Sequence, residues 1–280
     1  MKVKDIQNEN DIRNLTVDQV GVYNITYPIT VKDKTHNEQK TVANIDMMVQ
    51  LMPEFKGTHM SRFIEILNNI RGEITMANIP SILRETRNVL ASPRSSLSVK
   101  FPYFIEKISP VSEARSLFSV DVMFSGFSEA GMGENFILGV RVPVTTLCPC
   151  SKEISEYGAH NQRSRVSIYL NFKDFIWVED IVAHIESCAS SEIFPLLKRS
   201  DEKYVTEKAY KRPRFAEDMV RSVAERFMSH EKVKWFLVET MHEESIHTHN
   251  AYARIERFKE QSELLSEHLR VFKGFELLHP

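Results

Sequence analysis

Two cysteines, Cys148 and Cys150, flank a single proline in the polar stretch Pro143 to Arg165, and His160 follows 12 positions after Cys148 within Gly158-Ala-His-Asn-Gln-Arg163. A thiolate and an imidazole are donors that zinc and neighbouring transition metals prefer. Free cysteines are most often small buried hydrophobes. Here, however, Thr145, Thr146, Pro149, Ser151 and Lys152 surround the pair, and the lysine favours a thiolate. That setting weighs toward use of a cysteine as metal ligand or nucleophile. Cys-x-Cys is tighter than structural zinc spacing, and the chain lacks a second pair, so a catalytic centre with three protein ligands and one open position fits better. Cys148 and His160 supply two donors; the third should be a carboxylate or another histidine.

Two later clusters offer it. Asp201-Glu202-Lys203-Tyr204-Val205-Thr206-Glu207 reads by itself as a solvated charge run. His242-Glu243-Glu244-Ser245-Ile246-His247-Thr248-His249 packs three histidines and two glutamates into one turn, where histidine is suited to proton transfer near neutral pH. Glu217, in the first turn of a helix after Pro213, has a plainer reading as a helix-dipole partner.

The elements that would position these groups follow from hydrophobic period. Residues 1 to 18 lack an apolar period and read as an extended arm. Val20 to Val31 and Val42 to Met52 read as strands joined by a polar loop, Lys32 to Lys40, which has no glycine to define its turn. Helical spacing covers His59 to Ile70, ended by Gly72, and Ile79 to Leu90, with Pro80 in its first turn. Strands Leu97 to Ile108 and Ala114 to Phe127 follow. The order strand, strand, helix, helix, strand, strand then recurs: strands Asn135 to Val144 and Arg165 to Phe172 around the Cys/His loop, helices Val178 to Ile193 and Phe215 to Met228, and strands Val233 to Glu239 and Ala251 to Phe258. Cys188 falls on the apolar stripe of its helix and reads as packing. A duplicated α+β unit, an antiparallel sheet with two helices on one face, is therefore expected. It divides the chain into an arm at 1–18, a first unit at 19–130, a second at 131–258 carrying the metal loop, and a helical tail at 259–280.

Bulk properties narrow the function. The 280 residues carry a net charge of -2 from 36 basic and 38 acidic side chains, so no global basic field favours nucleic acid or an anionic membrane. Three cysteines make no disulfide framework. The N-terminal segment has no apolar h-region and no window resembles a membrane span; a cytoplasmic protein is expected. No G-x-x-x-x-G-K-[ST] loop is present, which excludes a P-loop nucleotidase.

The motifs Leu147-Cys-Pro-Cys-Ser-Lys152, Gly158-Ala-His-Asn-Gln-Arg163, Asp201-Glu202-Lys203 with Val205-Thr206-Glu207, Phe215-Ala-Glu217-Asp218, and Glu244-Ser-Ile-His247 with His249-Asn-Ala251 closely resemble those of the type IB GTP cyclohydrolase family. Each is weak singly; together, across Leu147 to Ala251, they are specific. The resemblance implies the tunnelling fold, two ββααββ units per chain closing into barrels as a homotetramer, with active sites at subunit interfaces. It implies Cys148, His160 and Glu202 as ligands of Zn²⁺ or Mn²⁺, Glu217 as the anchor of the guanine edge, and His247 as proton shuttle, with Glu243 grouped beside it as catalytic. Cys148 and His160 are catalytic through the metal they hold. Lys152, Arg163 and Arg165, and also Lys208, Lys211 and Arg212, are candidates for the triphosphate of GTP. Roles for Cys150, Glu244, His242 and His249 stay open. The implied reaction hydrolyses GTP to 7,8-dihydroneopterin triphosphate and formate, the first step of tetrahydrofolate synthesis.

Two other readings share these residues. A tunnelling-fold reductase of a deazaguanine nitrile would use a cysteine nucleophile and NADPH, and would leave His160 and Glu202 unexplained. A zinc-stabilised nucleotide-binding protein would use Cys148 and His160 only structurally, and would unfold when stripped of metal.

Overall fold

The computed structural model describes residue 7 and residues 9–272; the remainder of the expected arm, and of the expected tail beyond 272, lies outside the described residues. The described residues form eight strands and seven helices: β1 (Val17–Asp33), β2 (Asn37–Leu51), α1 (Met60–Ile70), α2 (Ile79–Val89), β3 (Arg94–Ile108), β4 (Arg115–Glu129), β5 (Gly133–Leu147), α3 (Pro149–Ile154), β6 (Asn161–Phe172), α4 (Val178–Cys188), α5 (Arg199–Lys211), α6 (Ala216–Ser229), β7 (Val233–His242), β8 (Ala251–Phe258) and α7 (Glu263–Val271). The strands follow sequence order in one sheet, and the pairings β1/β2, β2/β3, β5/β6, β6/β7 and β7/β8 are antiparallel. The class is α+β. The expected order ββααββ recurs in the second half with two additions, α3 and α5.

The chain resolves into two compact units that are not contiguous in sequence. One takes the segments up to residue 101, 123–137 and from 261 onward; the other takes Pro102–Val122 and Leu138–Glu260. Every residue proposed for chemistry from the sequence lies in the second.

In the first unit, alternate residues Ile29, Val31, Ala43, Ile45, Met47, Val49, Leu97 and Val99 are buried together with the apolar stripes of α1 and α2, Phe63, Ile66, Leu67, Ile79, Ile82 and Leu83. Each of these side chains larger than alanine contributes about 1.5–3 kcal/mol by leaving water. The β1–β2 connection is shorter than the polar composition implied, and it does without glycine. Asp33 accepts from the backbone N–H groups of Thr35 and His36 at 2.8 and 2.7 Å, and Asn37 takes the left-handed conformation at φ 66°. Gly72 follows the left-handed cap Arg71, and a Cβ there would sit 2.4 Å from the Pro28 carbonyl oxygen, so only glycine lets this turn dock on β1.

The second unit buries Val140, Val142, Val144, Val166, Ile168 and Leu170 of the sheet, Ile181, Val182 and Ile185 of α4, and Met219, Val220, Val223 and Phe227 of α6. Cys188 is buried in this core, where desolvation raises its thiol pKa. The stretch around Asp201, read as a charge run, is the helix α5. Its only buried residues are Asp201 and Ala209, which explains why no apolar stripe announces it.

Candidate active site

Strand β5 ends at Leu147, and Cys148 becomes the N-cap of the short helix α3 with extended backbone, φ -68° and ψ 119°. Pro149 at the first helical position suits this start, since its missing N–H has no intrahelical partner there. Cys148 Sγ accepts the Ser151 N–H at 3.4 Å. The loop closes when the Cys148 N–H donates to the His160 carbonyl at 3.1 Å, and the His160 N–H donates to Ser151 Oγ at 3.2 Å. Cys148 and His160, 12 positions apart, are therefore backbone partners at the loop end of the β5–β6 hairpin.

The imidazole of His160 is oriented from below. Its Nδ1 lies 3.0 Å from Gln162 Oε1 and 3.7 Å from Glu244 Oε2. Gln162 faces Thr146 across the β5–β6 register, and its Nε2 donates to Thr146 Oγ1 at 3.0 Å. With the amide nitrogen committed to Thr146, the amide oxygen accepts from His160 Nδ1–H, which leaves His160 Nε2 with a lone pair. This is the arrangement that presents an imidazole to a metal while its other nitrogen is held by a neighbour.

Below Gln162 runs a buried polar layer. Thr146 Oγ1 also meets Ser164 Oγ at 2.6 Å and His242 Nδ1 at 3.4 Å, and Thr146, Gln162, Ser164 and His242 are each at most 6% exposed. Burial holds the His242 pKa down to about 4, with the charge of Glu217 opposing that shift in part. The sequence reading did not single out Gln162 or Ser164. The signal existed: both share the parity of Val166, Ile168 and Leu170 on the buried face of β6, so polar residues fall where alternation asks for apolar ones.

Glu217 reaches this end of the sheet because α6 is anchored to β5. The Arg214 N–H donates to the Leu147 carbonyl at 3.0 Å and Arg214 Nε to the Cys188 carbonyl at 3.0 Å, while Asp218 caps the Phe215 N–H at 3.0 Å. Asp201 and Glu202 divide their roles. Asp201 is fully buried and accepts from the N–H groups of Val111, Ser112 and Lys198 and from the Ser112 hydroxyl. Against the opposing effect of burial, these hydrogen bonds hold its carboxyl far below the usual range. Asp201 thus pins the start of α5, and Glu202 stands exposed beside it.

Among the described residues, no group of three histidine, cysteine, aspartate or glutamate side chains stands ready to hold a metal. The structure brings Cys148 and His160 together, with Glu244 as the carboxylate at the ring, and does not bring Glu202 to them. In donor chemistry the thiol and the tautomer-fixed imidazole fit a zinc-like ion and supply two of three ligands.

Several of the basic candidates have side-chain partners within the chain. Lys152 Nζ donates to the Tyr210 carbonyl at 2.7 Å and sits over its ring, 4.5 Å from the centroid. Arg165 pairs with Glu243 at 2.8 Å, and the Arg163 carbonyl accepts from the Glu243 N–H at 3.0 Å. Lys208 is paired with Glu192, and Arg212 donates to the Ser187 carbonyl. In the β7–β8 loop, His247 and His249 are exposed with rings stacked at 5.0 Å.

Residues 3–253 match the family described as type I GTP cyclohydrolase folE2. The chain belongs to that family. It is 51% identical over 260 residues to the GTP cyclohydrolase FolE2 of Geobacter metallireducens, covering 92% of this chain and 98% of the relative. It is 52% identical over 254 residues to that of Syntrophotalea carbinolica, covering 91% and 95%. Among solved structures it is similar to the uricase of Arthrobacter globiformis, with 9% identity, a TM-score of 0.45 and coverage of 88% of this chain and 94% of that one. A hyperthermostable mutant of Bacillus sp. TB-90 urate oxidase gives 10% identity, a TM-score of 0.49 and coverage of 88% and 99%.

The Cys148–His160 hairpin end and His242 are built from neighbouring strands. They lie in the one unit, at the same end of β5, β6 and β7.

Proposed function

We infer that this chain is a GTP cyclohydrolase I, which hydrolyses GTP to 7,8-dihydroneopterin triphosphate and formate as the first step of tetrahydrofolate biosynthesis. The family match over residues 3–253 carries the reading.

Cys148, His160 and Glu202 would hold a divalent metal, Zn²⁺ or Mn²⁺. In support, Cys148 and His160 are joined through their backbones and His160 Nε2 is left free to ligate. When bound, such an ion supplies the Lewis acidity that makes water a nucleophile near neutral pH. The remaining work falls to side chains. Glu217 accepts two parallel hydrogen bonds from the ring N–H and the exocyclic amine of guanine, a planar match that adenine does not offer. Bound in this way, C8 is presented to water while His247, on the loop between β7 and β8, delivers a proton to N7. Water adds at C8 and opens the imidazole ring to a formamide; a second water cleaves that formamide, and C8 departs as formate. The ribose then rearranges and its carbons reclose onto the freed nitrogen with loss of one water, so that one water is consumed net. Glu243, paired with Arg165 at the base of the loop, would relay protons with His247. Lys152 and Arg165 would turn from Tyr210 and Glu243 to the triphosphate, with Arg163 beside them.

A cytoplasmic homotetramer built on the tunnelling fold, with sites completed at subunit interfaces, belongs to this reading. In support, β8 ends the strand order and carries exposed Tyr252 and Phe258, an edge that a second chain can cover. No helix among the described residues is long and apolar enough to cross a membrane.

Incubation of the purified protein with GTP and Zn²⁺ or Mn²⁺ tests the function. It predicts a pterin that fluoresces after oxidation. An NADPH-dependent, chelator-insensitive turnover of a nitrile substrate in its place would contradict it.

A further inference from the structure

The second unit holds a cavity that the proposed chemistry does not use, at the end of β6 away from His160. Strand β6 runs from Asn161, beside His160, to Phe172, and the cavity opens just past Phe172. At about 3.3 Å per residue the strand spans roughly 35 Å between the two places. The cavity measures about 140 Å³, and its wall includes Phe175, Trp177, Asp180, Arg226, His230 and Lys232. These come from the β6–α4 connection, the first turn of α4, the end of α6 and the residue before β7.

The wall carries three basic side chains and one acidic one. A cation in the last turn of α6 suits the helix dipole, and that alone would account for Arg226. It would not account for the others gathered on the same cavity. The Arg226 guanidinium has no ion-pair or hydrogen-bond partner among the described residues. Lys232 meets Asp174 at 3.4 Å across an exposed pair, a weak hold on a lysine. His230 Nδ1 accepts the Lys232 N–H at 3.3 Å, so the neutral ring carries its hydrogen on Nε2 and offers a donor. Lys259 Nζ donates to the His230 carbonyl at 2.7 Å and adds its charge. Burial lowers the His230 pKa, and the charges that push it further down are those of Arg226, Lys259 and Lys232, so the field at this ring is positive. Phe175 and Trp177, edge to face at 4.6 Å, supply an apolar wall that strengthens a charge-assisted bond beside it.

We propose that this cavity is an anion site for a phosphate group, free or carried by a small phosphomonoester, with Arg226, Lys232 and His230 Nε2–H donating to its oxygens. A guanidinium fork takes two oxygens and an ammonium a third, and a phosphate has enough acceptors for all three donors where a carboxylate has two oxygens. The inference goes beyond the cyclohydrolase reading, and none of the residues named for the triphosphate of GTP takes part in it.

Trp177 reports on the cavity, since the chain has two tryptophans and the other, Trp235, is 1% exposed. The test measures quenching of tryptophan fluorescence in the full-length protein by iodide and by neutral acrylamide at constant ionic strength. Relative to acrylamide, iodide should quench the protein more than it quenches free N-acetyltryptophanamide, because a positive cavity gathers it. Inorganic phosphate should displace the iodide and protect Trp177 with a dissociation constant on the order of 1 mM. Phenyl phosphate, whose ring meets Phe175 and Trp177, should protect about tenfold more tightly where the ligand is a phosphomonoester; equal constants assign the site to free phosphate. Arg226→Gln should weaken protection about tenfold or more, and Arg226→Lys should restore part of it. Iodide quenching no stronger than in the free amide, or no protection by phosphate well above that concentration, overturns the proposal without any variant. A folded Arg226→Gln protein with unchanged protection also overturns it. Formate release from GTP with Zn²⁺ on the same preparation is read separately: protection without formate keeps the site and removes the cyclohydrolase, and formate without protection does the reverse.

Discussion

His160 Nδ1, just ahead of β6, lies 3.0 Å from Oε1 of Gln162, the second residue of that strand. Because Gln162 Nε2 is spent on Thr146, this contact decides which nitrogen of His160 carries the hydrogen. Gln162→Leu should release the ring, leave Thr146 short of a donor, and weaken zinc affinity about 10- to 100-fold. Competition against a chelator of known affinity measures it; unchanged affinity would remove Gln162 as the orienting residue.

Glu217→Gln exchanges a two-bond acceptor for an amide that sets one donor against guanine. Affinity for GTP should fall about 10- to 100-fold, the loss expected for a charge-assisted pair, while the melting temperature stays nearly constant because Glu217 is exposed. Equilibrium titration with GTP checks the first and thermal denaturation the second.

His268 on α7 gives a pH prediction away from the site. It is buried between Ser125 Oγ at 2.9 Å and Asn135 Nδ2 at 2.8 Å and stacks on Phe127, and burial pulls its pKa down to about 3. The depressed value means that the unfolded chain binds the extra proton first. The contribution of His268 is therefore whole above about pH 6.5 and is lost as pH falls from there toward 3, with a slope of about 1.4 kcal/mol per pH unit. His268→Gln should flatten the fall in stability by roughly one proton's worth across that window in denaturant unfolding at stepped pH.

Asp201→Asn removes the charge that gathers the N–H groups of Val111, Ser112 and Lys198. The start of α5 should loosen. Hydrogen exchange at those amides should speed up by tenfold or more, with zinc affinity falling as well if Glu202 ligates from this helix turn.

Much of this arrangement was legible in advance, for identifiable reasons. The β6 alternation of Val166, Ile168 and Leu170 and the apolar stripes of α4 and α6 report burial directly, so their elements read correctly. Helix α5 hides because only Asp201 and Ala209 are buried, and it is held by hydrogen bonds from the distant β3–β4 turn, which leave no local period. His242 looked like one more histidine in a polar turn. Its parity with Phe236, Val238 and Thr240, all buried, shows it to be the end of the strand instead. Cys148 and His160 were chosen by donor type, and their pairing follows from hairpin register. Resemblance assigned the metal carboxylate to Glu202 and left Glu244 open; that Glu244 comes within 3.7 Å of His160 Nδ1 depends on the path of the β7–β8 loop, which carries no period to read.

The account rests most directly on where C8 of the substrate goes. GTP labelled at C8, incubated with the zinc-loaded protein and with folded Cys148→Ala, should yield labelled formate in equal amount to pterin from the first and none above background from the second. Substantial labelled formate from Cys148→Ala would contradict the catalytic centre drawn here, and label retained in a purine product of the unaltered protein would contradict the reaction itself.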